Sequence, residues 1–438
     1  MPRNVLLVMF LLLAGLSTTF CSSNPTPAPA GNPVTALPGS TTPTSPPPVA
    51  AGEPLVIGLL TDQTSATLGI YGPQQERGFR LGLEYATNGT MMVADRPIEI
   101  VMYDNGSDPE QAAKDAQRLI EDDGAEILIG TVSSSATVPV IDLAAEYDRI
   151  LIIEPAASPL LTGEYFHENV FRTSRTSAQD ALVVARTLSD MGSTFVQIAP
   201  DNTFGRGAAA GFYDAIRTEG GRFTVNDNDE DVGTIFIPLE SNDFLPYLTN
   251  VIDSAADVLI VNWAGEGFVP LFRQVQELGI FDTMIVSTGM ADNATLQGGY
   301  ENAVGSIGQS VYHYTLPDNP INDWLVQRHQ EDYGTPPDLF TAGGMAAAIM
   351  VVQSVESTGG DTSTAALIPL LEGIAFHGPN GRYQVRAEDH VMLQPLYLVR
   401  LTNVTDDEYR FFELISVLQT DYTAPPCLVS PELARCAP

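Results

Sequence analysis

Lysine is almost missing from this chain: Lys114 stands alone in 438 residues, and the 20 basic side chains face 54 acidic ones for a formal net charge of -34. So few cations cannot build the phosphate footprint of a nucleic-acid binder, which excludes that class of partner. The acidity reads instead as a device for solubility, or as a mark of a salty or exposed habitat. Cysteine is scarce too. There are three, Cys21, Cys427 and Cys436, and the five histidines (His167, His313, His329, His377, His390) have no metal-ligand spacing, so no metal site and no cofactor is expected. Catalytic signatures are also lacking: the sequence holds no GxSxG elbow, no HExxH, no Walker A and no GxGxxG between a strand and a helix. Gly205-Arg206-Gly207 is too short for a dinucleotide turn. A nucleophilic Ser134 would need a histidine base brought in by the fold, so a serine hydrolase ranks as the third reading.

Long apolar runs are confined to the start. Arg3 followed by the uncharged stretch Val5 to Leu16 is too short for a membrane span and reads as an export signal over residues 1–20. Cys21 follows it directly, where a bacterial lipoprotein carries its lipidated cysteine. Residues 21–53 are rich in Pro, Thr, Ser and Ala without apolar periodicity, and are expected to be a disordered tether. In an exported chain the neighbouring Cys427 and Cys436 are expected to form a local disulfide within a tail of residues 421–438. At 44% hydrophobic content the remainder can fill two or three domains.

What is present is centred on Gly130 to Thr162. Ile127-Leu128-Ile129 stops at Gly130, and Ser133-Ser134-Ser135 opens an amphipathic stretch from Ala136 to Tyr147 at helical spacing. The next apolar run, Ile150 to Ile153, stops at Pro155-Ala156-Ala157-Ser158. In an open parallel sheet ligands bind beyond the carboxyl ends of the strands, where helix N-termini offer free N–H groups to anions. The two turns read as one half of a pocket for a carboxylate, or as simple caps.

In order, the chain predicts strands at Leu55 to Leu60, Ile98 to Tyr103 and the two runs above, with helices at Pro73 to Tyr85 and from Asp108-Pro109 onward. Short βαβ links imply a parallel sheet with helices on both faces. The pattern restarts at Val170 to Thr173. Helices follow at Ala178 to Met191, Gly207 to Glu219, Asp243 to Ser254 and Phe268 to Leu278, between strands at Phe195 to Ala199, Ile235, Val258 to Asn262 and Met284 to Ser287. The tail predicts helices at Pro320 to Tyr333, Leu339 to Glu356 and Ile368 to Glu372, then strands at Gly381 to Val385, Pro395 to Thr402 and Phe411 to Val417. Tyr71, Phe204 and Trp263 sit at strand ends or in the loops after them, on the rim where an interlobe cleft would lie.

From Glu53 to Val417 the chain resembles the type I periplasmic solute-binding proteins of the branched-chain amino acid (Leu/Ile/Val) family, the receptors of ABC importers. The residues that carry the resemblance include IGTVSSSAT (Ile129 to Thr137), EPAASPLLT (Glu154 to Thr162), VFRTSRTSAQDA (Val170 to Ala181), PDNTFGRG (Pro200 to Gly207), DYGTPPDLFTAGGMAAA (Asp332 to Ala347) and GPNGRYQV (Gly378 to Val385). The resemblance implies an α/β fold of two Rossmann-like lobes joined by a three-crossover hinge, with the ligand in the interlobe cleft. By that pattern lobe one is 54–172 plus 306–376 and lobe two 173–305 plus 377–420. It puts Ser134 and Ser158, with Ser133, Ala157 and the backbone of Val132 and Ala156, on the ligand's polar head. Tyr71 and Phe340 match aromatic pocket positions, and Phe204 a position where amino acid binders carry tyrosine. Amino acid binders also supply a carboxylate from lobe two, in the loop that here reads TGMADNATL; only Asp292 there, or Glu266 after Trp263, is available. The implied function is a non-enzymatic, monomeric, lipid-anchored receptor on the outer face of the cytoplasmic membrane. It would deliver an amino acid or related amide to an ABC permease, or else signal ligand to a membrane partner.

Overall fold

The structure is a computed structural model that describes residues 52–265 and 267–436. The expected export signal, Cys21, most of the tether and Glu266 lie outside the described residues.

The first lobe is built from β1 (Leu55–Thr61), α1 (Gly72–Ala86), β2 (Met92–Val93), β3 (Arg96–Asp104), α2 (Pro109–Glu121), β4 (Ile127–Ile129), α3 (Ser134–Glu146), β5 (Ile150–Ile153) and β6 (Val170–Arg172). Its sheet has the order β2-β3-β1-β4-β5-β6 and is parallel except at the β2/β3 pair. The apolar runs explain the layering, because alternate side chains of each strand serve opposite faces. Ile57, Ile127, Ile129, Ile150 and Ile152 pack on one side, and Leu60, Leu128, Leu151 and Ile153 on the other. Helix starts follow the caps in the sequence: the Asp108 side chain accepts from Gln111 N, with Pro109 at the first helical position.

The second lobe starts after Arg172 with α4 (Ser177–Met191), whose Thr176 and Gln179 form a capping box. It continues through β7 (Thr194–Pro200), α5 (Thr203–Thr218), β8 (Arg222–Phe223), β9 (Thr234–Ile237), α6 (Leu245–Asp253), β10 (Val258–Val261), α7 (Phe268–Glu277), α8 (Ile280–Thr283), β11 (Ile285–Thr288), α9 (Asn293–Gly299) and β12 (Ile307–Ser310). Strands β11-β10-β7 are parallel, and β8 and β9 both pair with β7. Helix α5 begins four residues before the expected Gly207, because the Asn202 side chain caps it by accepting from Gly205 N.

The chain then forms α10 (Pro320–Tyr333), α11 (Thr341–Ser357), α12 (Thr364–Leu371), β13 (Ala375–Gly378), β14 (Gly381–Val385), β15 (Met392–Leu393), β16 (Leu396–Leu401) and β17 (Phe412–Leu418). Two segments pack otherwise than the expected lobe boundaries would put them. Strand β12 pairs antiparallel with β16, whose Leu396 and Leu398 share a core with Val258 and Ile260 of β10, so it belongs with the second lobe. The β13-β14-β15 sheet buries Phe376, Tyr383, Val385 and Met392 in the core of α1 and α11, so it belongs with the first. The crossings follow β6, β12 and β15. Asn380 and Gln394 tie them together: Asn380 Nδ2 donates to Val311 O at 3.1 Å and Gln394 Oε1 at 3.2 Å, and Gln394 Nε2 donates to Thr173 O at 3.0 Å. Beyond β17 the chain returns to the same place, where Thr423 Oγ1 donates to Gln394 O, and Cys427 and Cys436 are joined by a disulfide.

Candidate functional site

The strand-end turns of both sheets face one another across a cavity of about 100 Å³. That is room for several water molecules, hence for a small solute. On the first-lobe side the chain leaves β4 at Gly130, where a Cβ would stand 2.3 Å from Leu60 O. Only glycine permits that approach, and it delivers Val132 to Ser135 to the cavity wall. Ser133 caps α3 through Ala136 N, and Ser134 and Ser135 occupy the first turn, so the helix's N-terminal dipole is directed at the cavity.

Of the residues singled out from sequence, the structure brings Tyr71, Val132, Ser133, Ser134, Ala157, Phe204, Trp263 and Phe340 to the lining. Ala156, Ser158 and Asp292 do not line it, and Glu266 lies outside the described residues. Ser158 is fully buried one layer behind: its N–H donates to Ser134 Oγ at 3.2 Å and its hydroxyl to Thr203 O at 2.8 Å. It therefore braces Ser134 and ties the turn to the second lobe. Asp292 has a different task from that expected. The TGMADNATL stretch carries α9, and the Asp292 carboxylate caps it, accepting from Ala294 N and Thr295 N at 3.1 Å and Thr295 Oγ1 at 2.6 Å. Aspartate is a preferred N-cap residue, but without an apolar run behind it Asp292 gave no clear helix start in the sequence.

The lobes touch around the cavity. The Tyr71 hydroxyl accepts from Gly265 N at 2.9 Å, and its ring meets Phe340 edge-on with centroids 4.8 Å apart. Burial, then the charge of Asp292, pushes the Tyr71 hydroxyl further up, so it stays protonated. Ser135 Oγ lies 3.2 Å from Thr203 Oγ1, and Asp338 accepts from Asn293 N at 3.1 Å. Burial, with Asp292 nearby, pushes the Asp338 carboxyl up to about 7. Trp263, Phe268 and Met290 furnish an apolar second-lobe wall, with Phe244 stacked edge-on behind Trp263.

Several lining groups escaped sequence reasoning, among them Arg175, Ser177, Asp180 and Gln309. Arg175, on the first crossing, lines the cavity and pairs with buried Asp180, Nη2 to Oδ2 at 3.1 Å and Nε to Oδ1 at 3.3 Å. Burial pushes the Asp180 carboxyl up against the opposing pull of Arg175. Behind them Arg172 is fully buried; it donates to Ala156 O at 2.6 Å, Ser158 O at 3.0 Å and Ser174 O at 3.1 Å, and so fixes the second turn. Burial, then the charge of Arg175, lowers it to about 9. The signal for both was the run Arg172 to Arg175 just ahead of a capping box, at the point where the pattern restarts.

Among the described residues no histidine hydrogen-bonds Ser134 or Ser158; His390, for one, is held by Val170 O at 2.8 Å and by Glu372 at 3.2 Å. Nor does any cluster of three or more His, Cys, Asp or Glu side chains have the placement to hold a metal ion there. The arrangement can bind and enclose: donors at one wall, an ion pair at the hinge, aromatic surfaces around the rest.

A family model described as periplasmic binding protein matches residues 54–407. The chain is 24% identical over 363 residues to Leu/Ile/Val-binding protein homolog 6 of Brucella suis biovar 1, covering 78% of this chain and 89% of that one. It is 34% identical to an ABC-type branched-chain amino acid transporter of known crystal structure from Rhodopseudomonas palustris CGA009, with a TM-score of 0.73 over 86% of this chain and 100% of the other. A solute-binding protein of an ABC transporter from Rhodopseudomonas palustris BisB5, solved with 3,4-dihydroxybenzoic acid, shares the fold at 21% identity, with a TM-score of 0.73 over 84% of this chain and 97% of that one.

Proposed function

Because the chain belongs to the periplasmic binding protein family, a class of solute-binding receptors, we propose that it captures a small polar solute between its lobes and delivers it to an ABC importer. The observation that carries this reading is the cavity itself, with its α3 N-terminus on one lobe and aromatic wall on the other. A carboxylate on the solute would take hydrogen bonds from the first turn of α3, where N–H groups have no intrahelical partner and the dipole favours negative charge. The Leu/Ile/Val names of the relatives support an amino acid or related amide, and the dihydroxybenzoate complex of a fold neighbour supports an aromatic acid. The reading is of a non-enzymatic, monomeric protein: Ser134 is held by the Ser158 backbone rather than by a base. It is also of an exported protein, tethered at Cys21 to the outer face of the cytoplasmic membrane. A sensor that reports the same solute to a membrane partner is the second reading, supported by the same closing cleft.

The test is a thermal-shift panel of amino acids, amides, urea and small organic acids. A true ligand at about a hundred times its dissociation constant should stabilise the fold by roughly 2.7 kcal/mol. Ser134→Ala should weaken that ligand by roughly threefold to tenfold, the worth of one neutral hydrogen bond. Unchanged affinity in the variant removes Ser134 from the site; a panel with no stabilising solute counts against the receptor reading itself.

A further inference from the structure

Asp180, Asp292 and Asp338, the acids on or beside the cavity wall among the described residues, are already engaged. Asp180 is the acid on the cavity wall, and it faces two nitrogens of the Arg175 guanidinium. Asp292 is 2% exposed, with three donors on its carboxylate from the first turn of α9. Asp338 is held by the backbone N–H groups of Asn293 and Leu339. Against these stand unspent donors. Arg175 Nη1 makes no hydrogen bond among the described residues, and the Ser177 hydroxyl, buried and on the cavity wall, has no partner. The α3 N-terminus adds a further positive end. A cationic amino group enclosed here would be desolvated without a counter-charge, which disfavours its binding. An acceptor or anion meets the opposite balance. The rest of the wall is apolar and rich in rings, with Tyr71, Phe204, Phe212, Trp263, Phe268 and Phe340 all on it.

We propose that the cavity takes a carboxylate with an apolar or aromatic body and no amino group, and that Arg175 sets this selectivity. The proposal rests on the receptor reading and narrows it. Two carboxylate sites are available in principle, the first turn of α3 and the outer edge of the Arg175 guanidinium, and both repel an ammonium. Arg175 holds Asp180 with Nε and Nη2, which leaves Nη1 as the guanidinium nitrogen available to the solute's carboxylate. Its position on the first crossing also couples the solute to hinge closure, since Thr173, two residues earlier, accepts from Gln394 on the third.

The experiment is isothermal titration with matched solutes that differ in one group: 4-methylpentanoate against leucine, 3-phenylpropanoate against phenylalanine, benzoate against benzamide. In the wild-type protein at least one acid should bind tenfold or more tighter than its amino or amide counterpart. Arg175→Gln should lower the affinity for that acid at least tenfold and bring the acid-to-amide ratio near one, while Arg175→Lys should keep most of the preference for the acid. Glu266→Gln should leave the winning acid unaffected. Leucine or phenylalanine binding more tightly than its deaminated partner would overturn the proposal, as would selective loss of amino acid binding in Glu266→Gln. Should Arg175→Gln fail to fold by circular dichroism, the wild-type pairs decide alone. If none of the six solutes binds but another member of the wider panel does, the proposal falls and the receptor reading stands; if nothing in the wider panel binds, both fall.

Discussion

Residue by residue, the hinge side of the cavity is dominated by buried ionisable groups. Glu154 ends β5 with its carboxyl fully enclosed, accepting from Thr173 Oγ1 at 3.1 Å and filling the space where a side chain on Gly343 would stand. Burial pushes this carboxyl up to about 8, so at neutral pH it is held protonated in the fold. The linkage follows from that direction. Below the ordinary glutamate value of about 4.5 the group is protonated whether the chain is folded or not. Between there and about 8 the unfolded chain ionises while the folded one does not, so stability from this group is progressively lost as pH rises, and the loss is complete above about 8. Asp338, pushed up to about 7, acts in the same direction. Glu154→Gln keeps the shape and removes the titration. In urea melts its stability relative to the wild type should rise between pH 4.5 and 8, by an amount on the order of a few kcal/mol; parallel pH curves for the two proteins would show that Glu154 is ionised in the fold. None of this was legible in sequence, where Glu154 was one acid among 54 and nothing marked it as enclosed.

At the scale of elements, the longer helices and the apolar strands were the legible part. Ile150–Ile153 stands where its apolar run puts it, and Gly381–Val385, GRYQV, where its alternation of buried Tyr383 and Val385 with polar residues puts it. Elements without such runs were lost: β12 is IGQS, β13 is AFHG, and α9 lies in a stretch with one large apolar residue, Leu296. That last loss misdirected the reading of Asp292, because a cap and a ligand-binding acid look alike until the helix is seen. A second feature hidden in plain sight is the α1/α11 contact. A Cβ at Gly78 would stand 2.0 Å from Thr341 O, and one at Gly344 2.4 Å from Gln75 O, so the two helices meet backbone to backbone. For an isolated helix Gly→Ala is stabilising by about 1 kcal/mol. Here the sign should reverse: Gly78→Ala should destabilise by about 1–3 kcal/mol, the usual cost of overpacking. Chemical denaturation reads the difference, and a gain in stability would show that the helices do not approach so closely.

For the molecule as a whole, the proposed receptor reading depends on closure between the lobes. Tyr71, Ser135 and Ser158 of the first lobe each hydrogen-bond the second, at Gly265 and Thr203, on the rim of the cavity, while the crossings are joined at the far side by Asn380 and Gln394. On the proposed receptor reading, such a layout would open by rotation about the crossings and close by remaking a few rim contacts. The two-lobe plan was visible in the sequence as a pattern that restarts at Phe171; where the chain returns was less so, because β12 and β13–β15 change lobes within a few residues of each crossing. The central claim, that the interlobe cavity is the solute site, is tested most directly by a crystal structure of the protein grown with the tightest-binding acid of the titration series. The account predicts the solute enclosed between the lobes, its carboxylate within hydrogen-bond distance of Ser133–Ser135 or Arg175 and its body against Phe204 and Trp263. A solute bound elsewhere, or a carboxylate turned away from both donors, would contradict it.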